Sequence, residues 1–212
     1  MFFDRADAGR KLGMELKKYG LKDAVLLAIP RGGIITGYEA AKAIGAKFSL
    51  IIVRKLPFPS EPEAGFGAIS EDGSTYMQSN VNTFLGEKEI KKAVNEQKLM
   101  IKKRLLLRPT HFPSIKGKTV ILVDDGIAMG STMIAAILTC KKKGAKKIVV
   151  ASPVASPEVK KLLKNYADEV IVLETPSPFY AVAQAYKNWG DISDLEAKKY
   201  LINAGFKYKA FK

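Results

Sequence analysis

The chain has 212 residues, 47% of them hydrophobic, and its 35 Lys and Arg against 21 Asp and Glu leave a net charge of +14. A core of useful size is therefore possible, a disordered chain and a membrane span are excluded because no apolar run approaches bilayer length, and the sign of the charge points to phosphates, polyphosphorylated metabolites or nucleic acid. Cys140 is the single cysteine, which excludes an intramolecular disulfide and a Cys-rich metal site; with Asp4, Arg5 and Asp7 ahead of any apolar stretch, no signal or anchor is expected and the expected location is the cytoplasm.

Residues 4–19 place Leu12, Leu16 and Tyr19 on one helical face, with Asp4 and Asp7 near the start. Residues 24–29 read as a buried strand ended by Pro30, Arg31, Gly32 and Gly33; a helix over 34–44 and a second buried strand over 48–53 follow. That order is the unit of a parallel sheet with helices on its faces. Residues 54–82 break the pattern with Pro57, Pro59, Pro62, Gly65, Gly67 and Gly73, predicting a long mobile loop and then a hairpin. The hairpin pairs residues 66–70 with 75–79 around 71–74, where Asp72 and Gly73 supply the turn.

Residues 86–107 predict a long helix with Ile90, Val94, Ile101 and Leu105 on one stripe, ended by Pro109 and placed to cover a sheet edge. A strand over 119–123, a helix over 131–143, a strand over 147–151, a helix over 157–165 and a strand over 169–173 resume the alternation. From Thr175 onward Phe179, Tyr180, Tyr186, Trp189 and a helix over 194–204 read as a cover on the sheet, so residues 1–212 are expected to form one domain. The basic groups at Lys91 and Lys92, at Lys102, Lys103 and Arg104, and at Lys141, Lys142 and Lys143 read as solvated helix ends, the last just before a capping Gly144.

The run Val120, Ile121, Leu122, Val123, Asp124, Asp125, Gly126, Ile127, Ala128, Met129, Gly130, Ser131, Thr132 carries the most chemistry. A buried strand enters paired carboxylates, then a glycine-bearing loop, then hydroxyls at a helix start. Free amides and the dipole at that helix start suit a monophosphate, and the acids suit vicinal hydroxyls or a hydrated divalent cation. Sugar hydroxyls at one end and phosphate at the other describe a ribose 5-phosphate. The plainer reading is a strand-to-helix connection in which the acids cap a loop and Ser131 caps the helix. The lysine of a P-loop is absent.

This run resembles the donor-binding signature of the type I phosphoribosyltransferases, and the likeness extends along the chain. The resemblance implies an α/β core with a parallel sheet, helices on both faces, a flexible loop with a hairpin, and a hood formed by the aromatic cover. It assigns the ribose hydroxyls of 5-phosphoribosyl-1-pyrophosphate to Asp124 and Asp125, and its 5-phosphate to the loop Gly126, Ile127, Ala128, Met129, Gly130, Ser131 and Thr132. The pyrophosphate falls to Arg31, Gly32 and Gly33 after the first core strand, while Arg54 and Lys55 stabilise the leaving group; two solvated charges at a strand end are the plainer account of that pair. Mg2+ is the implied cofactor, held mainly through substrate near Asp124 and Asp125. The long loop, with Glu61 and Glu63, would close over the reacting centre.

More narrowly, the chain resembles a group of predicted phosphoribosyltransferases that share the Pro-Arg-Gly-Gly turn, the Pro-rich loop, the long middle helix and a Phe-Tyr segment. Ala128 stands where the 6-oxopurine enzymes carry an aspartate, so the acceptor is a nitrogenous base of another kind or one handled by another route. A sensor of the donor that regulates nucleic acid is the second reading, and a homodimer is compatible with either. His111 reads as a surface or packing residue and Cys140 as a small core side chain. Phe179 and Tyr180 serve either base stacking or packing.

Overall fold

The computed structural model describes residues 1–21, 23–62, 64–108 and 112–207, so the expectations for Glu63 and His111 lie outside the described residues. In chain order its main elements are α1 (Arg5–Lys17), β1 (Val25–Ala28), α2 (Gly32–Ile44), β2 (Lys47–Leu50), β3 (Val53–Pro57), β4 (Gly65–Ser70) and β5 (Thr75–Met77), then α3 (Val81–Phe84), α4 (Glu87–Arg104), β6 (Thr119–Val123), α5 (Ser131–Lys142), β7 (Lys147–Val154), α6 (Pro157–Leu163), β8 (Glu169–Glu174) and α7 (Asp194–Asn203). Five strands form a parallel sheet in the order β2-β1-β6-β7-β8.

The central strands are apolar at nearly every position because both faces of the sheet are covered. Leu26, Ala28, Ile121 and Val123 join a core with Leu12 and Leu16 of α1 and Ile34 and Ala41 of α2. Val25, Leu27, Val120 and Leu122 join a second core with Met133, Ile137 and Cys140 of α5. Burial of that thiol pushes the pKa of Cys140 up to about 12, which suits an inert core residue. Tyr19, expected on the buried face of α1, lies beyond the helix end and is exposed.

The single strand expected over residues 48–53 is divided in the structure. Lys47–Leu50 stays in the parallel sheet, whereas Val53–Pro57 opens a separate antiparallel sheet of order β3-β4-β5. Between them Ile51 and Ile52 remain buried, and the backbone of Ile52 is taken by the hairpin: its N–H donates to Glu71 Oε2 at 3.0 Å and its carbonyl accepts from Glu71 N–H at 2.9 Å. An unbroken apolar run carries no mark of such a change of sheet. Residues 54–57, expected in the loop, are therefore strand, while the expected hairpin forms with a shorter second strand and a register one residue away from 66–70 against 75–79: Gly67 pairs with Met77, Ala68 with Tyr76 and Ile69 with Thr75. α4 buries Ala93, Gln97 and Ile101, flanked by half-buried Ile90, Val94 and Leu105, and packs on β3 and β4 rather than on an edge of the main sheet.

The cover holds the first residues of the chain. Phe2 N–H donates to Ala185 O at 2.7 Å, Lys187 N–H donates to Phe2 O at 2.8 Å, and the rings of Phe2, Tyr186 and Trp189 follow one another at centroid distances of 5.5 and 4.9 Å.

The two sheets are joined by a buried ion pair. Arg108 NH1 lies 2.8 Å from both oxygens of Glu71 and 2.9 Å from Leu50 O, with side-chain exposures of 9% and 7% for the charged partners. Removing one partner strands the other charge in a poorly solvated place, so Glu71→Ala is expected to lower the unfolding free energy by about 3–5 kcal/mol. Urea denaturation would read this as a lower midpoint at unchanged slope.

Candidate active site

β1 and β6 lie side by side in register, Ala28 opposite Val123, and Ile29 N–H donates to Val123 O at 2.9 Å just past the strand ends. Their following loops therefore leave the sheet together. β1 leads through α2 to β2 on one side, and β6 leads through α5 to β7 on the other. Such a reversal of strand order in a parallel sheet opens a crevice at the carboxyl ends of the strands.

The turn after β1 contains Arg31, Gly32 and Gly33, with a cis peptide between Pro30 and Arg31. A Cβ on Gly32 would stand 1.8 Å from Asp125 Oδ2, and one on Gly33 would stand 3.0 Å from Asp124 Oδ1. Glycine is needed at the first position because a carboxylate already occupies the side-chain space. The turn and the acid pair, about ninety residues apart in sequence, are thus fitted to each other.

The two acids face different surroundings. Asp125 is clamped: its Oδ2 accepts from Arg5 Nε at 2.6 Å, with side-chain exposures of 9% for Arg5 and 14% for Asp125. Arg5 NH1 also donates to Gly190 O at 2.9 Å, and the guanidinium stacks 3.7 Å from the centroid of Trp189. The Tyr186 hydroxyl donates to the Asp125 carbonyl, and burial followed by the Asp125 charge pushes its pKa up, keeping it a donor. Asp124 instead lines a cavity of about 250 Å³ beside the loop from Gly126 to Thr132, Lys55 and the hairpin glycines Gly65 and Gly67. Its Oδ1 accepts from Asp125 N–H at 2.9 Å, yet its pKa is raised well above the ordinary carboxylate value. Burial is the main cause, and the Asp125 charge and a hydrogen bond with that neighbour add to it.

The loop beyond the acids is anchored by Ile127, whose N–H donates to Val154 O at 2.9 Å. Ser131 is not the cap that its residue type suggests. Gly130, in the left-handed region at φ +80°, occupies that position and gives α5 no side-chain cap. By contrast α1, α6 and α7 are capped by Asp4, Ser156 and Ser193. Among the described residues the amides of Ala128, Met129, Gly130, Ser131 and Thr132 donate to no protein acceptor, and α2 likewise starts at Gly32 without a side-chain cap. Two helix ends with free donors therefore open on the crevice.

Arg54 and Lys55 alternate on β3 and so diverge. Lys55 lines the same cavity as the loop, while Arg54 Nε donates to Gln97 Oε1 at 3.2 Å. Burial, then the Arg31 charge, lowers the pKa of Arg54. Arg31 NH1 stands 3.5 Å from Asp194 Oδ1 at the start of α7. Sequence reasoning misses Arg5, because its role depends on partners from the opposite end of the chain. It also takes Arg104 for a solvated helix end, whereas Arg104 is half-buried near Arg31 and Arg54. Phe179 packs partly buried beside Phe2 and Tyr186, and Tyr180 is 82% exposed. Among the described residues no three His, Cys, Asp or Glu side chains group to hold a metal ion, and no helix is long and apolar enough to cross a membrane.

Comparison with known proteins agrees with this geometry. The family model for the phosphoribosyl transferase domain matches residues 5–186. A Mycobacterium tuberculosis (strain H37Rv) protein named "Putative phosphoribosyl transferase Rv0571c" is 36% identical over 208 residues, covering 96% of this chain and 47% of that protein; the chain thus spans about half the length of the curated relatives it matches. The crystal structure of TT1426 from Thermus thermophilus superposes with a TM-score of 0.79 at 34% identity, covering 96% of this chain and 99% of that one. An amidophosphoribosyltransferase from Pyrococcus horikoshii is 32% identical over 125 residues, 58% of this chain and 26% of that protein. With an α/β fold on a parallel sheet and a family match that takes in both crevice loops, the chain belongs to the phosphoribosyl transferase domain family.

Proposed function

We propose that the protein binds 5-phosphoribosyl-1-pyrophosphate in this crevice and transfers the phosphoribosyl group to a nitrogenous acceptor, releasing pyrophosphate. One observation carries the reading: the same cavity is lined by Asp124 and by the start of an uncapped helix whose first amides have no protein acceptor among the described residues. Amides and the Ser131 and Thr132 hydroxyls suit the 5-phosphate. Asp124 accepts from the ribose diol, while Asp125, held by Arg5, backs it and fixes the Arg31-Gly32-Gly33 turn, whose amides and guanidinium take the pyrophosphate.

In the transfer, the bond from the anomeric carbon to the pyrophosphate oxygen breaks with its electron pair leaving on pyrophosphate. The acceptor nitrogen then bonds to that carbon, and the proton it carried passes to the released pyrophosphate or to solvent water. The carbon passes through an oxocarbenium-like state, so the chain's task is to position the reactants and to offset charge on the leaving group. Arg31, Arg54 and Lys55 supply the positive charge. Asp124 is the carboxylate that would help hold a Mg2+, and one such ligand fits an ion held mainly by substrate oxygens; when bound, the ion would neutralise leaving-group charge. The acceptor enters beneath the cover, and Ala128 leaves the loop without an acid for a purine proton.

A screen of free bases and small amines for pyrophosphate release with the donor and Mg2+ tests the transfer. Release with one acceptor is the expected result; no release with any acceptor, together with donor-dependent nucleic-acid binding that weakens steeply with salt, would shift the assignment to a regulator.

The contrast between the acids gives a second test. The folded protein raises the pKa of Asp124, so between the unfolded value of about 3.9 and the raised one the native state holds more protons than the unfolded state. Stability therefore falls as pH rises through that window. Asp124→Asn should remove this slope, raise the melting temperature of the ligand-free protein near neutral pH, and weaken donor binding at least roughly a hundredfold, the loss of charge-assisted hydrogen bonds. Asp125→Asn should instead destabilise by about 3 kcal/mol, since it leaves the buried Arg5 unpaired. Calorimetry with the donor and thermal melts across pH read both; undiminished binding in Asp124→Asn refutes the role given to that carboxyl.

A further inference from the structure

The long middle helix α4 has no functional role in the sequence reading, yet two of its polar residues, Gln97 and Arg104, lie near Arg54. Gln97 sits between Ala93 and Ile101 on the buried stripe, a costly place for an amide without a partner. Its Oε1 accepts from Arg54 Nε at 3.2 Å. That bond fixes the plane of the Arg54 guanidinium and leaves its two terminal nitrogens for another acceptor. Arg104 lies two helical turns further on, at the last helical position, so it projects from nearly the same face. Its neighbours Lys102 and Lys103 are exposed, whereas Arg104 is half-buried.

The charges converge. Burial first, then the nearby Arg54 and Arg31, hold the pKa of Arg104 down, and Asp194 opposes them. Asp194 is itself 3.5 Å from Arg31. Three guanidiniums from the turn after β1, from β3 and from α4 are thus gathered in a half-buried place with one exposed carboxylate nearby, an arrangement that a bound polyanion would offset.

We infer that Gln97 and Arg104 belong to the subsite for the donor's diphosphate: Arg104 as a third guanidinium beside Arg31 and Arg54, Gln97 as the positioning residue that aims Arg54. The inference rests on the donor reading above and adds the middle helix to it. It also explains why an amide interrupts an apolar stripe.

Calorimetry with inorganic pyrophosphate, and separately with ribose 5-phosphate as a reference for the α5 loop, tests it. Arg104→Gln is expected to weaken pyrophosphate binding roughly tenfold, with a shallower dependence on ionic strength, while ribose 5-phosphate binding stays within about twofold. Arg104→Lys should recover part of the loss, because charge returns without the fork. Gln97→Leu, close in volume, should weaken pyrophosphate binding and spare ribose 5-phosphate. Wild-type pyrophosphate affinity in Arg104→Gln overturns the inference and leaves the donor reading standing. Equal loss of both ligands marks a purely structural role and overturns it too. A wild-type protein that binds ribose 5-phosphate but not pyrophosphate removes the subsite, and one that binds neither removes the donor reading with it.

Discussion

Two carboxylates in succession at the end of a buried strand repel one another, and a fold can keep both only by giving them different surroundings. Arg5 does this. It is drawn from the first turn of α1, stacked on Trp189 and bonded to Gly190 from late in the chain, and it pairs directly with Asp125, while its charge is the smallest of the influences acting on Asp124. Asp124 is left in the cavity with burial and its neighbour's charge both opposing its ionisation. The electrostatic cost that remains at Asp124 is the kind a diol, or a cation shared with a diphosphate, removes on binding. The clamp on one acid therefore prepares the other.

The same clamp sets the shape of the surrounding loops. Asp125, drawn back by Arg5, fills the space beside Gly32, and Gly126 lies where a Cβ would stand 2.2 Å from Val182 in the cover. Turn, acid pair and cover interlock through positions that admit no side chain. The amide-lined ends of α2 and α5 are consequently held in fixed relation before any ligand arrives, which reduces the ordering that binding must offset.

What can be read from the sequence is what is local. The apolar runs around Leu26 and Ile121 are strands because both faces of a parallel sheet are covered, and the passage from Asp124 to Thr132 is a strand-to-helix loop because its acids, glycines and hydroxyls follow in order. The partition of residues 48–53 between two sheets is not legible, since Ile51 and Ile52 are equally buried in either continuation. Nor are Arg5 and Arg104, whose composition is that of any helix end; their surroundings come from residues far away in the chain. Ser131 looks like a cap by type, but a cap would have consumed the donors that Gly130 leaves free.

The second sheet gives the basic strand a fixed distance from the phosphate loop. Asp72, in the hairpin turn, accepts from the Thr139 hydroxyl at 2.8 Å and pairs with Lys142, both on α5. Burial alone would raise its pKa, yet hydrogen bonds from Ser74, Thr139 and Lys142 outweigh that and hold it low. A lowered folded pKa means the anchor is present at neutral pH and is lost only as the pH falls through that value. The turn is thus tied to α5, and the adjacent Glu71 is tied through Arg108 to Leu50 in the edge strand β2 of the main sheet. β4 runs into this anchored turn and pairs with β3 along Arg54 to Leu56. Lys55 thus lines the same cavity as Ser131 and Thr132 at the start of α5, on a strand held through β4 by the anchored turn.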